Sequence, residues 1–144
     1  MSLTILAGST SKTIDVVLAD SSSATGAGLT GLVYNTASLT CYYRKGAAGV
    51  ATSISLATQT VAGAWSSGGF KEIDATNMPG LYRLDIPDAA IDTAGLVTIF
   101  FNGAANLLET PIRINCEALP VNVKQINDAD VGGVGTSGDK WRAA

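Results

Sequence analysis

The sequence predicts an all-β sandwich with mainly antiparallel pairing, and three observations carry that prediction. Six or seven short segments alternate apolar and polar residues at spacings near a dozen residues. No long apolar stripe of helical period occurs, and strands do not alternate with helices. The connections are rich in glycine, serine and alanine, with 16 glycines in 144 residues.

Leu3 to Ala7 reads as a short entry strand or an extended arm. Lys12 to Ala19 is a firmer strand, with Ile14, Val16 and Leu18 on one face and Asp15 on the other. Ser21 to Thr30 is a loop rich in Ser, Gly, Ala and Thr, too flexible to pack by itself and able to order against a neighbour. Ser38 to Lys45 is the next strand, placing Leu39, Cys41 and Tyr43 opposite Thr40, Tyr42 and Arg44. Gly46 to Gly49 turns the chain back into Ala51 to Ala57, with Ile54 and Leu56 inward. Gln59 to Gly69 is a connection carrying Trp65, either a cap on the core or an anchor for a partner.

Phe70 to Asp74 and Leu81 to Ile86 predict a strand pair, with Pro79-Gly80 supplying the turn between them. The second strand sets Tyr82, Leu84 and Ile86 against Arg83 and Asp85, and Tyr82 is either a tyrosine corner or an ordinary interior tyrosine. Pro87 to Ala90 starts a helical turn closed by Gly95. Leu96 to Asn102 is apolar on both faces, so it is covered on both sides or meets a subunit. Leu107 to Cys116 returns, and Pro111 within it marks an edge or a bulge. Leu119 to Ile126 forms one more strand. Asn127 to Asp139 is polar and glycine-rich, ending close to Trp141 and Arg142, residue types favoured as interface anchors. The domain organisation expected is an arm or entry strand over 1–11, a sandwich over 12–118, and a strand plus arm over 119–144.

Composition excludes several classes of function. The net charge of −3 comes with no basic run, which argues against nucleic acid. No stretch approaches the roughly 18 apolar residues of a membrane-spanning helix, and the first residues lack the pattern of a secretory signal. Charged residues are only 15% of the chain, as expected for a surface largely covered by neighbouring subunits. Histidine is absent, removing the commonest general base and metal ligand. Cys41 and Cys116 read as buried reduced thiols, with a disulfide across two sheets as the alternative.

Candidate chemistry is thin. Glu72 with Asp74, Asp85 with Asp88, and Asp128 with Asp130 are acid pairs without an evident cleft. Asn127 to Asp130 has oxygen ligands but no closing acid. Ser9 to Lys12 has no phosphate loop before it, and Gly132 to Gly135 opens no helix. No cofactor, metal or catalytic residue is expected.

DATNMPGLYRLDIPDAAIDTAG, from Asp74 to Gly95, resembles a group of tailed-bacteriophage virion proteins. Ser38 to Arg44 before a Gly-Ala turn is similar to the same group, as are Val123 to Asn127 and the segment Gly135 to Trp141. The resemblance spans about residues 12–142. It implies an immunoglobulin-like antiparallel β-sandwich with extended N- and C-terminal arms, of the kind found as N-terminal modules of fibre or baseplate proteins. Here the chain stops soon after the tryptophan, which favours a small accessory piece of the particle.

The expectation is therefore a non-enzymatic virion structural protein, assembled in the host cytoplasm: a capsid cement or decoration protein bridging its neighbours. Partners would be copies of itself, a trimer among the options, and major capsid or tail proteins. Leu3, Ile5, Trp65, Pro111, Trp141 and Arg142 are the expected interface residues, and Pro79, Gly80 and Tyr82 the structural corner. The alternatives are a tail, neck or baseplate adaptor or fibre-base module, and a carbohydrate-binding sandwich using Trp65, Tyr42 and Tyr43.

Overall fold

The computed structural model describes residues 2–118 and, beyond them, the backbone of three short strands. In chain order the first strands are β1 (Ser2–Leu6), β2 (Thr13–Val17), β3 (Ala19–Asp20), β4 (Thr40–Lys45), β5 (Thr52–Ser53) and β6 (Ala57–Thr58). They are followed by β7 (Gly69–Asp74), β8 (Met78–Asp85), β9 (Gly95–Asn102), β10 (Leu107–Leu108) and β11 (Ile112–Glu117). Last come β12 (Gln125–Ile126), β13 (Ala129–Gly132) and β14 (Arg142–Ala143), paired in that order. A 3-10 turn, Asp88–Ile91, sits between β8 and β9 and starts just after Pro87, where a missing amide costs nothing.

Two sheets face each other. One runs β1-β11-β9-β4-β5 and the other β2-β8-β7-β6, with β3 and β10 as a small side pair. Pairing is antiparallel except for β1 on β11 and β6 on β7. Alternation sends Ile14, Val16, Phe70, Tyr82 and Leu84 inward from one sheet, and Cys41, Val97, Ile99, Phe101 and Ile114 from the other. Phe70 joins the layers. Its ring stacks on Tyr82 at 4.9 Å and meets Phe101 of the opposite sheet at 5.4 Å. The fold is the all-β sandwich the sequence predicts.

Tyr82 has no exposed surface, and burial first of all pushes its phenol up to about 12. Its hydroxyl donates to the Leu29 carbonyl at 2.7 Å and accepts from the Leu32 amide at 3.2 Å. Glu72 takes the neighbouring Gly31 amide. A tyrosine corner would bond backbone a few residues upstream; this tyrosine reaches some fifty residues back and fastens a separate loop, so it is an interior tyrosine. That loop crosses β8 backbone against backbone. Gly80 has φ +85°, and a Cβ on it would lie 2.6 Å from Gly28 Cα, so glycine is required there.

Several local expectations are corrected. The β7–β8 turn is not at Pro79-Gly80, because Asp74 closes it earlier by accepting the Thr76 and Asn77 amides, each at 2.9 Å. Pro79 and Gly80 lie inside β8. Leu107 to Cys116 is two strands: β10 leaves to pair with β3, and β11 pairs with β9. Pro111 precedes β11, which is flanked by β1 and β9 and is no edge. Leu3 to Ala7 is no free arm, since β1 is hydrogen-bonded along β11. Gly95 opens β9 at φ +132° and does not close the 3-10 turn, whose C-cap is Asp92. Cys41 and Cys116 are free and sit in one sheet, opposite Phe101 and Gly95 at the two ends of β9. Strand geometry puts those ends ~20 Å apart, which excludes a bond between them.

Tyr82→Phe keeps the ring but leaves a buried carbonyl and amide unpaired. It is expected to cost about 1–2 kcal/mol, and Tyr82→Ala about 3 kcal/mol or more. Urea unfolding followed by tryptophan fluorescence measures both; a Tyr82→Phe midpoint equal to wild type would show that the hydroxyl anchors nothing.

Candidate interaction face

Strand β8 is buried on both sides, and its outward residues are charged. Arg83 is 6% exposed and Asp85 fully buried. The guanidinium holds the carboxylate through Nε at 2.8 Å and Nη2 at 3.2 Å, and Nη1 donates to the Thr60 and Val61 carbonyls. Asp85 also accepts from Thr13 Oγ1 at 2.7 Å, Gln59 Nε2 at 2.6 Å and the Ser66 amide at 2.9 Å. Burial opposes ionisation of Asp85, but Arg83 and then Ser66, Thr13 and Gln59 outweigh it, and its pKa is lowered. Gly69 makes room, since a Cβ there would lie 2.6 Å from Asp85 Oδ2. Every lone pair within reach is used inside the protein. The cluster ties β2, β8 and the 59–68 loop together and leaves no carboxylate to face a substrate.

The other acids of the sequence-predicted pairs that are described are spoken for in similar ways. Asp74 caps its turn, Asp88 accepts the Ser11 amide at 2.8 Å, and Glu72 holds Gly31. Asp128 and Asp130 and the Asn127–Asp130 oxygen cluster fall outside the residues whose side chains are described. Ser9 Oγ donates to the Leu6 carbonyl and so serves a turn. Burial pushes the Cys41 thiol far above its usual range, and it raises Cys116 as well, so neither is a nucleophile at neutral pH. Among the described residues no cluster of three or more potential metal ligands occurs.

The outer surface of the five-stranded sheet is different. Cross-strand register puts Tyr42 beside Phe100, and Thr98 between Arg44 and Arg113. Tyr42 is 38% and Leu96 44% exposed; Phe100, beside Tyr42, is half-buried, and Thr98 separates it from Leu96. These residues line a shallow depression of about 780 Å³ together with Asn102 and Ala51. Arg44 is held in place by donating from Nε to the Gly49 carbonyl at 2.8 Å and from Nη2 to the Ala47 carbonyl. Among the described residues no carboxylate lines this depression. The ion pairs among those residues are Lys45 with Asp92 and Arg83 with Asp85, so Arg113 has no acidic partner there. The Tyr42–Phe100 pair on one side and Leu96 on the other, with the Arg44–Thr98–Arg113 row crossing between them, mix apolar and cationic groups as a contact surface does.

The predicted interface residues do not collect on this face. Leu3 and Ile5 are packed partly against the core and, with Leu6 and Ile14, line a second groove of about 430 Å³ between the edge strands β1 and β2. Pro111 is exposed beyond the start of β11. Trp65 lies half-buried in the 59–68 loop over the other sheet, its indole nitrogen buried without a partner. Tyr42 and Tyr43 point to opposite faces of β4, so Trp65, Tyr42 and Tyr43 form no common stacking platform. Trp141 lies outside the described residues, and the backbone of Arg142 pairs with Gly132 in β14. Arg44, Leu96, Phe100 and Arg113 went unread as a group. The signal was the apolar second face of Leu96 to Asn102, which needed only the partners of that strand.

Asp85→Asn leaves Arg83 buried without its counter-charge and is expected to cost about 3 kcal/mol at neutral pH. Because the folded-state pKa of Asp85 lies below its ordinary value of 3.8, its contribution is present above that value and fades as pH falls through the lowered one. Wild-type stability should therefore drop with acid more steeply than that of Asp85→Asn, as measured by urea unfolding across a pH series. Parallel curves would remove Asp85 from that role. No protein-family model, curated protein or solved structure matches the chain.

Proposed function

We propose that this chain is a structural protein of a tailed-bacteriophage virion, a cement or decoration protein that bridges neighbouring capsid subunits by surface contact and carries out no reaction. The observation that carries the proposal is the face of Tyr42, Leu96 and Phe100, an apolar surface that the described residues leave uncovered on a lightly charged chain. The likeness of Asp74 to Gly95, and of Ser38 to Arg44, to virion proteins supplies the setting.

The strand order supports an immunoglobulin-like reading of the sandwich. The β2-β8-β7 sheet corresponds to the B, E and D strands, β11-β9-β4 to G, F and C, and β1 lies parallel to the G-like strand. In such a layout the sandwich edges and the outer face of the larger sheet remain available for bridging. Partners are further copies of the chain and other virion proteins, and the setting is the assembled particle.

Two measurements test this. Labelled protein should appear on the capsid shell of purified particles in electron micrographs; density confined to the tail or neck would turn the reading to an adaptor module. Tyr42→Ser with Leu96→Ser exchanges two exposed side chains and should change stability by under about 1 kcal/mol. Incorporation into particles should nevertheless fall by about tenfold or more, as for the loss of interface anchors. Undiminished incorporation would show that this face is not the contact.

A further inference from the structure

The Tyr42–Phe100 face and the far edge of the sandwich are complementary in charge. Arg44 and Arg113 flank Thr98 in one cross-strand row, and among the described residues no carboxylate lies beside them. The chain carries −3 overall, so without these two arginines the remainder carries −5. On the outer face of the other sheet, at its edge strand β2, Asp15 and Val17 point away from the core, Val17 being 58% exposed and Asp15 lying opposite an Arg83 already held by Asp85. Beside them β3 pairs with β10, where Leu108 is 47% exposed and Glu109 follows it, also exposed. Neither Asp15 nor Glu109 takes part in an ion pair among the described residues. One surface thus offers aromatic and aliphatic side chains with two free positive charges, and the other offers aliphatic side chains with two free negative ones.

We infer that the occupant of the Tyr42–Phe100 face is the Asp15–Val17 and Leu108–Glu109 edge of a second copy of this chain, docked head to tail. The inference rests on the assembly reading above and names the partner of its face. A face-to-face dimer about a two-fold axis is disfavoured, because it sets the Arg44–Arg113 row against its own image with nothing negative between. A head-to-tail contact avoids that. It uses a different patch on each partner, so every copy keeps one face and one edge unfilled until a ring closes.

The test uses the full chain in sedimentation velocity over a range of concentration and salt. Wild type should self-associate at low salt and dissociate as salt rises. Arg113→Glu, at an exposed site, should weaken association by about tenfold or more, as should Asp15→Lys with Glu109→Lys, while circular dichroism and urea midpoints stay near wild type. A mixture of the two variants should associate again, since the unaltered edge of the first then meets the unaltered face of the second. Should Arg113→Glu fold poorly, Arg113→Gln replaces it and should weaken association in the same direction. Three results would overturn the inference: a wild-type monomer at every concentration, undiminished association of Arg113→Glu, or no association in the mixture. A monomeric chain that still enters particles removes this contact and leaves the bridging role standing. Head-to-tail association by a chain that never enters particles does the reverse.

Discussion

The burial of β8 on both faces is the constraint to which the rest of the sandwich answers. A central strand with Tyr82, Leu84 and Ile86 on one side needs an opposing sheet, and β9 with Phe101 and Ile99 supplies it. The other side carries Arg83 and Asp85, and two charges removed from water are tolerated only when each finds partners. The 59–68 loop provides them, with carbonyls for the guanidinium and an amide and a glutamine for the carboxylate. Thr13 brings the β2 edge into the same network. A strand that would otherwise be an exposed outer face therefore becomes the middle of three layers: sheet, sheet and loop.

The same logic explains where loops are fixed and where they are not. Loop 28–32 is held at the Tyr82 hydroxyl, at Glu72 and at the Gly28–Gly80 crossing, all of which belong to β7 or β8. The stretch after β8 turns through Asp88–Ile91, where Asp88 in turn holds the Ser11 amide. Long-range polar ties thus concentrate on the four-stranded sheet. On the five-stranded sheet, by contrast, none of the described residues covers the outer surface, and Tyr42, Leu96 and Phe100 are not needed to complete the core.

Much of this was legible in the sequence because strand alternation is a short-range signal. Ile14, Val16, Tyr82, Leu84, Val97, Ile99, Ile112 and Ile114 all occupy the inward positions that period-two patterning assigns. What was not legible depended on pairing. The Pro79-Gly80 dipeptide carries turn chemistry, yet Asp74 had already closed the turn, and the glycine served a backbone crossing with Gly28 instead. Pro111 suggested an edge, but it lies one residue before the strand and leaves the ladder of β11 intact. Arg83 and Asp85 look solvated in an alternating strand; only the distant loop that returns over them reveals a buried pair. The candidate face was half visible, since a strand apolar on both sides was plain, while the cross-strand neighbours that make it a patch were not.

The size of that face sets the kind of association it can support. Complete burial of a large apolar side chain is worth about 1.5–3 kcal/mol, and Tyr42 and Leu96 are each less than half exposed while Phe100 is exposed less still. Their combined gain is therefore a few kcal/mol, against an association cost of at least ~4 kcal/mol in lost rigid-body freedom. Arg44 and Arg113 improve the balance, and Arg44 more than most because its side chain is already fixed by two backbone carbonyls and loses little entropy on contact. The single contact still comes out weak. A surface of this kind holds firmly only where a molecule makes several such contacts at once, so that the first binding raises the effective concentration for the next. That is the situation of a subunit set into a repeating shell, and it is why so little exposed apolar area is compatible with a bridging role.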